Sequence, residues 1–148
     1  MRILRKFLRL IGFRSERIMK FFRRKQKLDK IGRKILIVDD HENILTLYKY
    51  MLEREGFQVL LASDGNKALQ IAEEDDPELV LLDIMMPGIN GLDVLHALKR
   101  GNPSLPIILH SASVSARNDL DSVIADAFLE KASASPRQVL AKINELLD

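Results

Sequence analysis

Cysteine is absent from all 148 residues, so the chain can form neither a disulfide framework nor a thiolate metal site, which suits a reducing compartment. Apolar runs of the roughly 18 residues needed to cross a bilayer are also missing, because Lys or Arg interrupts the first thirty residues every few positions. A secretory signal needs an unbroken apolar segment of about 7 to 15 residues and a small-residue cleavage site, and neither occurs. No Gly-rich loop of the Walker type is present, and Gly88 with Gly91 is turn chemistry. His41, His96 and His110 lie on three separate elements without ligand spacing and make no metal set among themselves. These absences point to a cytoplasmic protein that neither spans a membrane nor cradles a nucleotide.

What is present divides sharply by charge. Residues 1–34 hold fourteen Lys or Arg against Glu16 and Asp29, a balance of +12, whereas the remaining 114 residues hold nine basic and nineteen acidic side chains, a balance of −10. A basic amphipathic leader over 1–32 therefore precedes an acidic body over 33–148, and 47% apolar content suffices for one well-buried core in that body.

Short apolar runs along the body each end in a group capable of chemistry. Residues 34–38 precede Asp39 and Asp40, 79–82 precede Asp83, 107–110 precede Ser111, and 127–130 precede Lys131. Such runs separated by helix-length segments read as strands of a parallel sheet buried on both faces. Ligands in an open α/β sheet sit beyond the carboxyl ends of the strands, so three carboxylates, a hydroxyl and an ammonium gather at one edge. The remaining pattern predicts helices over 42–55, 67–74, 92–99, 117–125 and 136–147, and strands at 58–62 and 127–129. Gly56 is a natural end to the first helix, the Ser63-Asp64-Gly65-Asn66 turn can cap the second, and Ser135 with Pro136 begins the last. Five βα units in alternation specify an α/β, doubly wound, three-layer domain.

These residues resemble the receiver domain of two-component response regulators over about 33–148. The stretches that carry the resemblance are Ile35-Leu-Ile-Val-Asp-Asp-His-Glu-Asn43, Ala62-Ser-Asp-Gly-Asn-Lys-Ala-Leu69, Leu81-Leu-Asp-Ile-Met-Met-Pro-Gly-Ile-Asn-Gly-Leu92, His110-Ser-Ala112 and Asp126-Ala-Phe-Leu-Glu-Lys131. The resemblance implies a flavodoxin-like five-stranded parallel sheet of order 2-1-3-4-5, built as (βα)5. It implies that Asp83 accepts a phosphoryl group, and that Asp39, Asp40, Asp83 and the backbone carbonyl of Met85 bind Mg²⁺. Lys131 then contacts a phosphoryl oxygen, and Ser111 hydrogen-bonds the phosphoryl group. Phe128 stands where the family has a switch aromatic; a core phenylalanine on the fifth strand is the equal alternative. Met85 and Ser113 occupy positions that tune acyl-phosphate lifetime, and the bulky, apolar Met85 favours slow self-dephosphorylation. Ala112 is small enough to leave the aspartate open to a donor histidine.

Two departures from the family stand out. Ala132 follows the lysine where proline is usual, so the loop is expected to run trans, since a cis bond there costs roughly 3 kcal/mol. The segment 114–125 is short and polar for an amphipathic helix. The function expected is that of a single-domain response regulator, not an enzyme, phosphorylated by a sensor histidine kinase or histidine phosphotransfer protein and acting on a downstream protein by contact. A phosphorylation-independent adaptor working through the leader is the alternative. A phosphohydrolase would want an acid where Met85 stands.

Ile3, Leu4, Phe7, Leu8, Ile11, Ile18, Phe21 and Phe22 make a helical stripe in the leader, with cations on the other side and flanks. Gly12 and Arg14 divide it into two pieces. Peripheral contact with the inner membrane surface through residues 1–25 is one reading; docking to a partner or a second copy, a basic tail touching nucleic acid, and a true start at Met19 remain open. No specific nucleic-acid binding is expected, because no folded base-reading element is apparent.

Overall fold

The computed structural model describes residues 16–112 and 124–148, together with residues 3, 6, 7, 10 and 12. Its elements are α1 (Glu16–Leu28), β1 (Lys34–Val38), α2 (Glu42–Arg54), β2 (Gln58–Ala62), α3 (Gly65–Asp75), β3 (Leu79–Leu82), α4 (Gly91–Gly101), β4 (Ile107–Ser111), β5 (Ala127–Glu130) and α5 (Pro136–Leu147). All five strands are parallel, in the order β2-β1-β3-β4-β5. This is the flavodoxin-like topology expected. The helix predicted over 117–125 falls almost wholly on residues 113–123, outside the described residues.

Side chains alternate across the central strands, and each face has its own core. Leu36, Val38, Val80, Leu82, Ile107 and Leu109 pack with Ala68 of α3 and Val94, Leu95 and Leu98 of α4. Ile35, Ile37, Leu79, Leu81 and Ile108 pack on the other side with Leu45, Tyr48 and Leu52 of α2 and Val139 and Ile143 of α5. Burial on both faces explains why β1, β3 and β4 are continuous apolar runs rather than alternating ones.

Local chemistry sets the helix starts. The Asp64 carboxylate accepts from the Lys67 amide at 2.8 Å, and Ser135 forms a capping box with Gln138. Asn90 caps α4 through the Leu92 amide at 2.9 Å, so that helix begins at Gly91, one residue earlier than the apolar periodicity predicts. The same glycine has a packing role: a Cβ there would fall on the Asp83 carbonyl oxygen and the Ile84 Cα. Only glycine lets α4 start directly beneath the end of β3. β4 and β5 each run one residue further than expected, to Ser111 and Glu130.

α1 belongs to the leader and meets the body beside the α2–β2 turn. Gly56, at φ +103°, lies against the Lys27 carbonyl and the Ile31 side chain. Lys30 sits 5.6 Å over the Phe57 ring and 3.5 Å from Glu55. Arg33 donates to the Leu147 carbonyl and Lys34 to the Asp75 carbonyl, which fastens the entrance to β1. Gly12 has φ +68°, in keeping with a break in the leader at that position. The stripe read from sequence is only partly one face, because Ile18 and Phe22 are half-buried while Phe21 is exposed.

Candidate functional site

Strand order reverses between β1 and β3, which leaves a crevice beyond their carboxyl ends. Asp39 and Asp40 leave β1 there, Asp83 leaves β3, and Lys131 follows β5. Asp39 and Asp83 are 1% and 2% exposed, well below what carboxylates tolerate without partners. The partner is Lys131. Its Nζ lies 2.6 Å from Asp39 Oδ2 and donates to Asp83 Oδ2 at 3.1 Å. The other Asp83 oxygen accepts from the Met85 amide at 3.1 Å, and Asp39 Oδ1 accepts from the His41 amide at 2.9 Å.

Burial raises the Asp83 carboxyl above its usual value, with Lys131 opposing and the Asp39 charge adding to the rise. Burial alone would lower the Lys131 ammonium, but its hydrogen bond to Asp39 and its attraction to Asp83 and Asp39 prevail and hold it above the usual lysine value. The crevice therefore holds one tightly kept cation between two carboxylates of unlike surroundings.

Ser111 closes β4 fully buried, and its carbonyl accepts the Lys131 amide at 2.9 Å, which ties the ends of β4 and β5 together. Phe128 is half-buried and packed against the α3–α4 core, the position of a core phenylalanine rather than of a side chain in solvent. The Met85 side chain is largely exposed at the mouth of the crevice. No cis peptide occurs among the described residues, so the link after Lys131 into Ala132 is trans as expected. Ser113 lies outside the described residues.

His41, in sequence one of three histidines that make no metal set among themselves, takes a place at this edge. The His41 ring Nδ1 lies 2.9 Å from Asp39 Oδ1 and 3.1 Å from Asp40 Oδ1, and its hydrogen bond to Asp39, with the charges of Asp40 and Asp39, raises its pKa. The sequence signal was the spacing: a residue two past Asp39, at the N-cap of α2, turns back over the carboxylate. Ligating atoms of Asp39, Asp40, His41 and Asp83 all lie within 4.8 Å of one another, and three of these groups are hard oxygen donors of the kind divalent cations such as Mg²⁺ prefer. His110 behaves oppositely. It is buried edge-on against Tyr48 with centroids 5.5 Å apart, its Nε2 has no hydrogen-bond partner, and burial drives its pKa down to about 4.

Comparison with known families decides the identity of this arrangement. The profile of the response regulator receiver domain matches residues 35–144. The chain belongs to that family. Over 122 residues the receiver is 38% identical to the alkaline phosphatase synthesis transcriptional regulatory protein PhoP of Bacillus subtilis, covering 79% of this chain and 49% of that one. The chain thus spans about half the length of the curated relatives it matches. Among solved structures it resembles the response regulator TrrA of Thermotoga maritima in complex with Mg²⁺-BeF, at 36% identity and a TM-score of 0.72, over 77% of this chain and 98% of that one. It also resembles TrrA in its complex with the histidine kinase ThkA, at 36% identity and a TM-score of 0.72, over 78% and 99% of the two chains. The receiver is thereby placed in two-component signalling.

Proposed function

We propose that this receiver takes a phosphoryl group onto Asp83 from the phosphohistidine of a sensor histidine kinase or histidine phosphotransfer protein, and that the modified edge changes its contact with a downstream protein. The observation that carries the reading is Asp83 itself, a carboxylate 2% exposed, held by a lysine on one oxygen and a backbone amide on the other. In the transfer, an Asp83 oxygen attacks phosphorus while the P–N bond to the donor imidazole breaks, and the electron pair of that bond returns to the ring nitrogen. The kinase complex of TrrA supports a histidine-kinase donor.

Asp39, Asp40, Asp83 and the Met85 carbonyl are the proposed ligands of Mg²⁺. Bound there, the ion would draw carboxylate and phosphoryl oxygens together and offset their charge. The acidic cluster and the Mg²⁺-BeF complex of TrrA support this. Lys131 is proposed to shift its ammonium from the carboxylates to a phosphoryl oxygen as charge builds there. Ser111 follows the phosphoryl group with its hydroxyl, and Phe128, already half-buried, turns further inward. Because the exposed apolar Met85 cannot orient water by hydrogen bonding, slow hydrolysis of the acyl phosphate is expected.

Intact-mass spectrometry after incubation with a small acyl phosphate tests the proposal. Added phosphate is expected on the parent protein with Mg²⁺, and none on Asp83→Ala or in excess chelator. Equal labelling of parent and Asp83→Ala would overturn it.

A further inference from the structure

The leader carries an apolar surface that the receiver does not use. Phe21 and Leu28 of α1 are 63% and 57% exposed and stand two turns apart on one side of the helix, while Ile18, Met19 and Phe22 on the adjoining side are half-buried. Arg17 and Arg24, also two turns apart, border the exposed pair on one flank and Lys25 on the other, all of them at the surface. Glu16 is the helix's sole acidic residue. Ile31 just beyond it, and Ile3, Phe7 and Leu10 before it, are exposed as well.

We propose that the leader is an anchor for an anionic lipid surface: Phe21 and Leu28 enter the headgroup layer, Arg17, Arg24 and Lys25 meet lipid phosphates and carboxylates, and the receiver is held by the sheet edge opposite its acidic crevice. Charge complementarity selects this occupant. Apolar groups set among cations gain from both burial and attraction at an anionic interface, and each engaged cation multiplies binding about fivefold. A nucleic acid would use the cations but leave the phenylalanine and leucine without a role. The +12 balance of residues 1–34 is drawn to such a surface while the −10 body is repelled, so the two charges orient the molecule. Geometry agrees with that orientation, because Lys27 at the end of α1 and Lys30 and Ile31 in the turn after it meet the body at Gly56, Phe57 and Glu55, beside the amino end of β2, whereas the crevice lies at the carboxyl ends. Among the described residues no helix is long and apolar enough to cross a membrane, which leaves interfacial binding.

Co-sedimentation of the full chain with vesicles tests the anchor. Binding is expected to phosphatidylcholine vesicles containing phosphatidylserine, not to phosphatidylcholine alone, and to fall as salt screens the surface over about 8 Å at physiological ionic strength. The double variant Phe21→Ser with Leu28→Ser should bind about a hundredfold more weakly. Arg24→Glu with Lys25→Glu should weaken it more, through reversed charge. Circular dichroism and phosphate uptake at Asp83, both unchanged, would show that the variants keep an intact receiver. A full chain that stays in the supernatant with anionic vesicles at low salt overturns the anchor, as do variants that bind like the parent. Dimer formation lost in Phe21→Ser without vesicle binding, or salt-sensitive retention of DNA without it, would overturn it in favour of self-association or a nucleic-acid contact.

Discussion

The two ends of the sheet carry opposite charge and handle it in opposite ways. At the carboxyl edge a few charges are buried and individually partnered: Asp39 and Asp83 share the Lys131 ammonium at 2.6 and 3.1 Å. At the amino edge many cations stand in water along α1, and what they do depends on their number. A buried charge has a steep dependence on its one partner, whereas a solvated one is screened and nearly independent of its neighbours. Specific chemistry belongs to the first arrangement and diffuse attraction to the second.

Removing one cation at each end should expose that contrast most strongly. Lys131→Ala leaves two buried carboxylates facing each other and should lower unfolding free energy by about 3 kcal/mol in urea titrations without divalent ions, with Mg²⁺ restoring part of the loss. Arg24→Ala should change it by less than about 0.5 kcal/mol. Equal losses from the two variants would erase the distinction. Chemical shifts on β4 and β5 extend the same test, since Lys131→Ala should still accept some phosphate yet fail to shift Ser111 and Phe128.

Acid should also act through buried groups. The unfolded His110 imidazole protonates near 6.5 and the folded one only at about 4, so between these values the unfolded chain binds the extra proton. Stability should therefore fall as pH is lowered through that window, by about 3 kcal/mol in all. His110→Phe should flatten this acid limb, as measured by urea midpoints from pH 7 to pH 4; an unchanged limb would assign the acid sensitivity to other groups.

Asp83 runs the other way. Its folded carboxyl holds its proton to higher pH than the unfolded one, so the stability it contributes is greatest in acid and is lost as pH rises above the ordinary value of 3.8. Asp83→Asn should accordingly make the protein without divalent ions more stable at pH 7, by about 1 kcal/mol or roughly 3 °C in Tm, while ending phosphate uptake. A lower Tm would mean that the Lys131 contact outweighs burial.

The smallest effect sharpens the comparison at the surface of the crevice. His41 is exposed, and its raised pKa comes first from Asp39 and then from Asp40 and Asp39 charge. Any stability it adds is present below 6.5 and is lost as pH rises through its folded value. Mg²⁺ occupying those carboxylates should move the His41 titration, followed by NMR, back toward 6.5. A titration indifferent to Mg²⁺ would place the ion elsewhere.

How much of this was legible beforehand depended on the range of the interaction. The acid pair after residues 34–38, Asp83 after 79–82 and Lys131 after the last strand could be read directly, because parallel strands buried on both faces are contiguous apolar runs and the groups at their carboxyl ends share one edge. Asp64 and Ser135 were legible as caps, since a cap bonds to amides two or three residues away. Asn90 was missed beside a Pro-Gly loop whose turn chemistry masked it. The return of His41 over Asp39, by contrast, is local, two residues along the chain, and was open to reading from that spacing. Two other features were decided only by tertiary structure. Nothing adjacent to His110 in the chain announces that Tyr48, from α2, packs edge-on against its ring, or that Nε2 is left without a partner. The division of the leader's apolar residues into a half-buried side, Ile18, Met19 and Phe22, and the exposed pair Phe21 and Leu28 is a property of the folded chain that the sequence stripe does not show. Periodicity specifies that a helix has an apolar side; only the surface it meets determines which of those residues are covered and which remain free to bind.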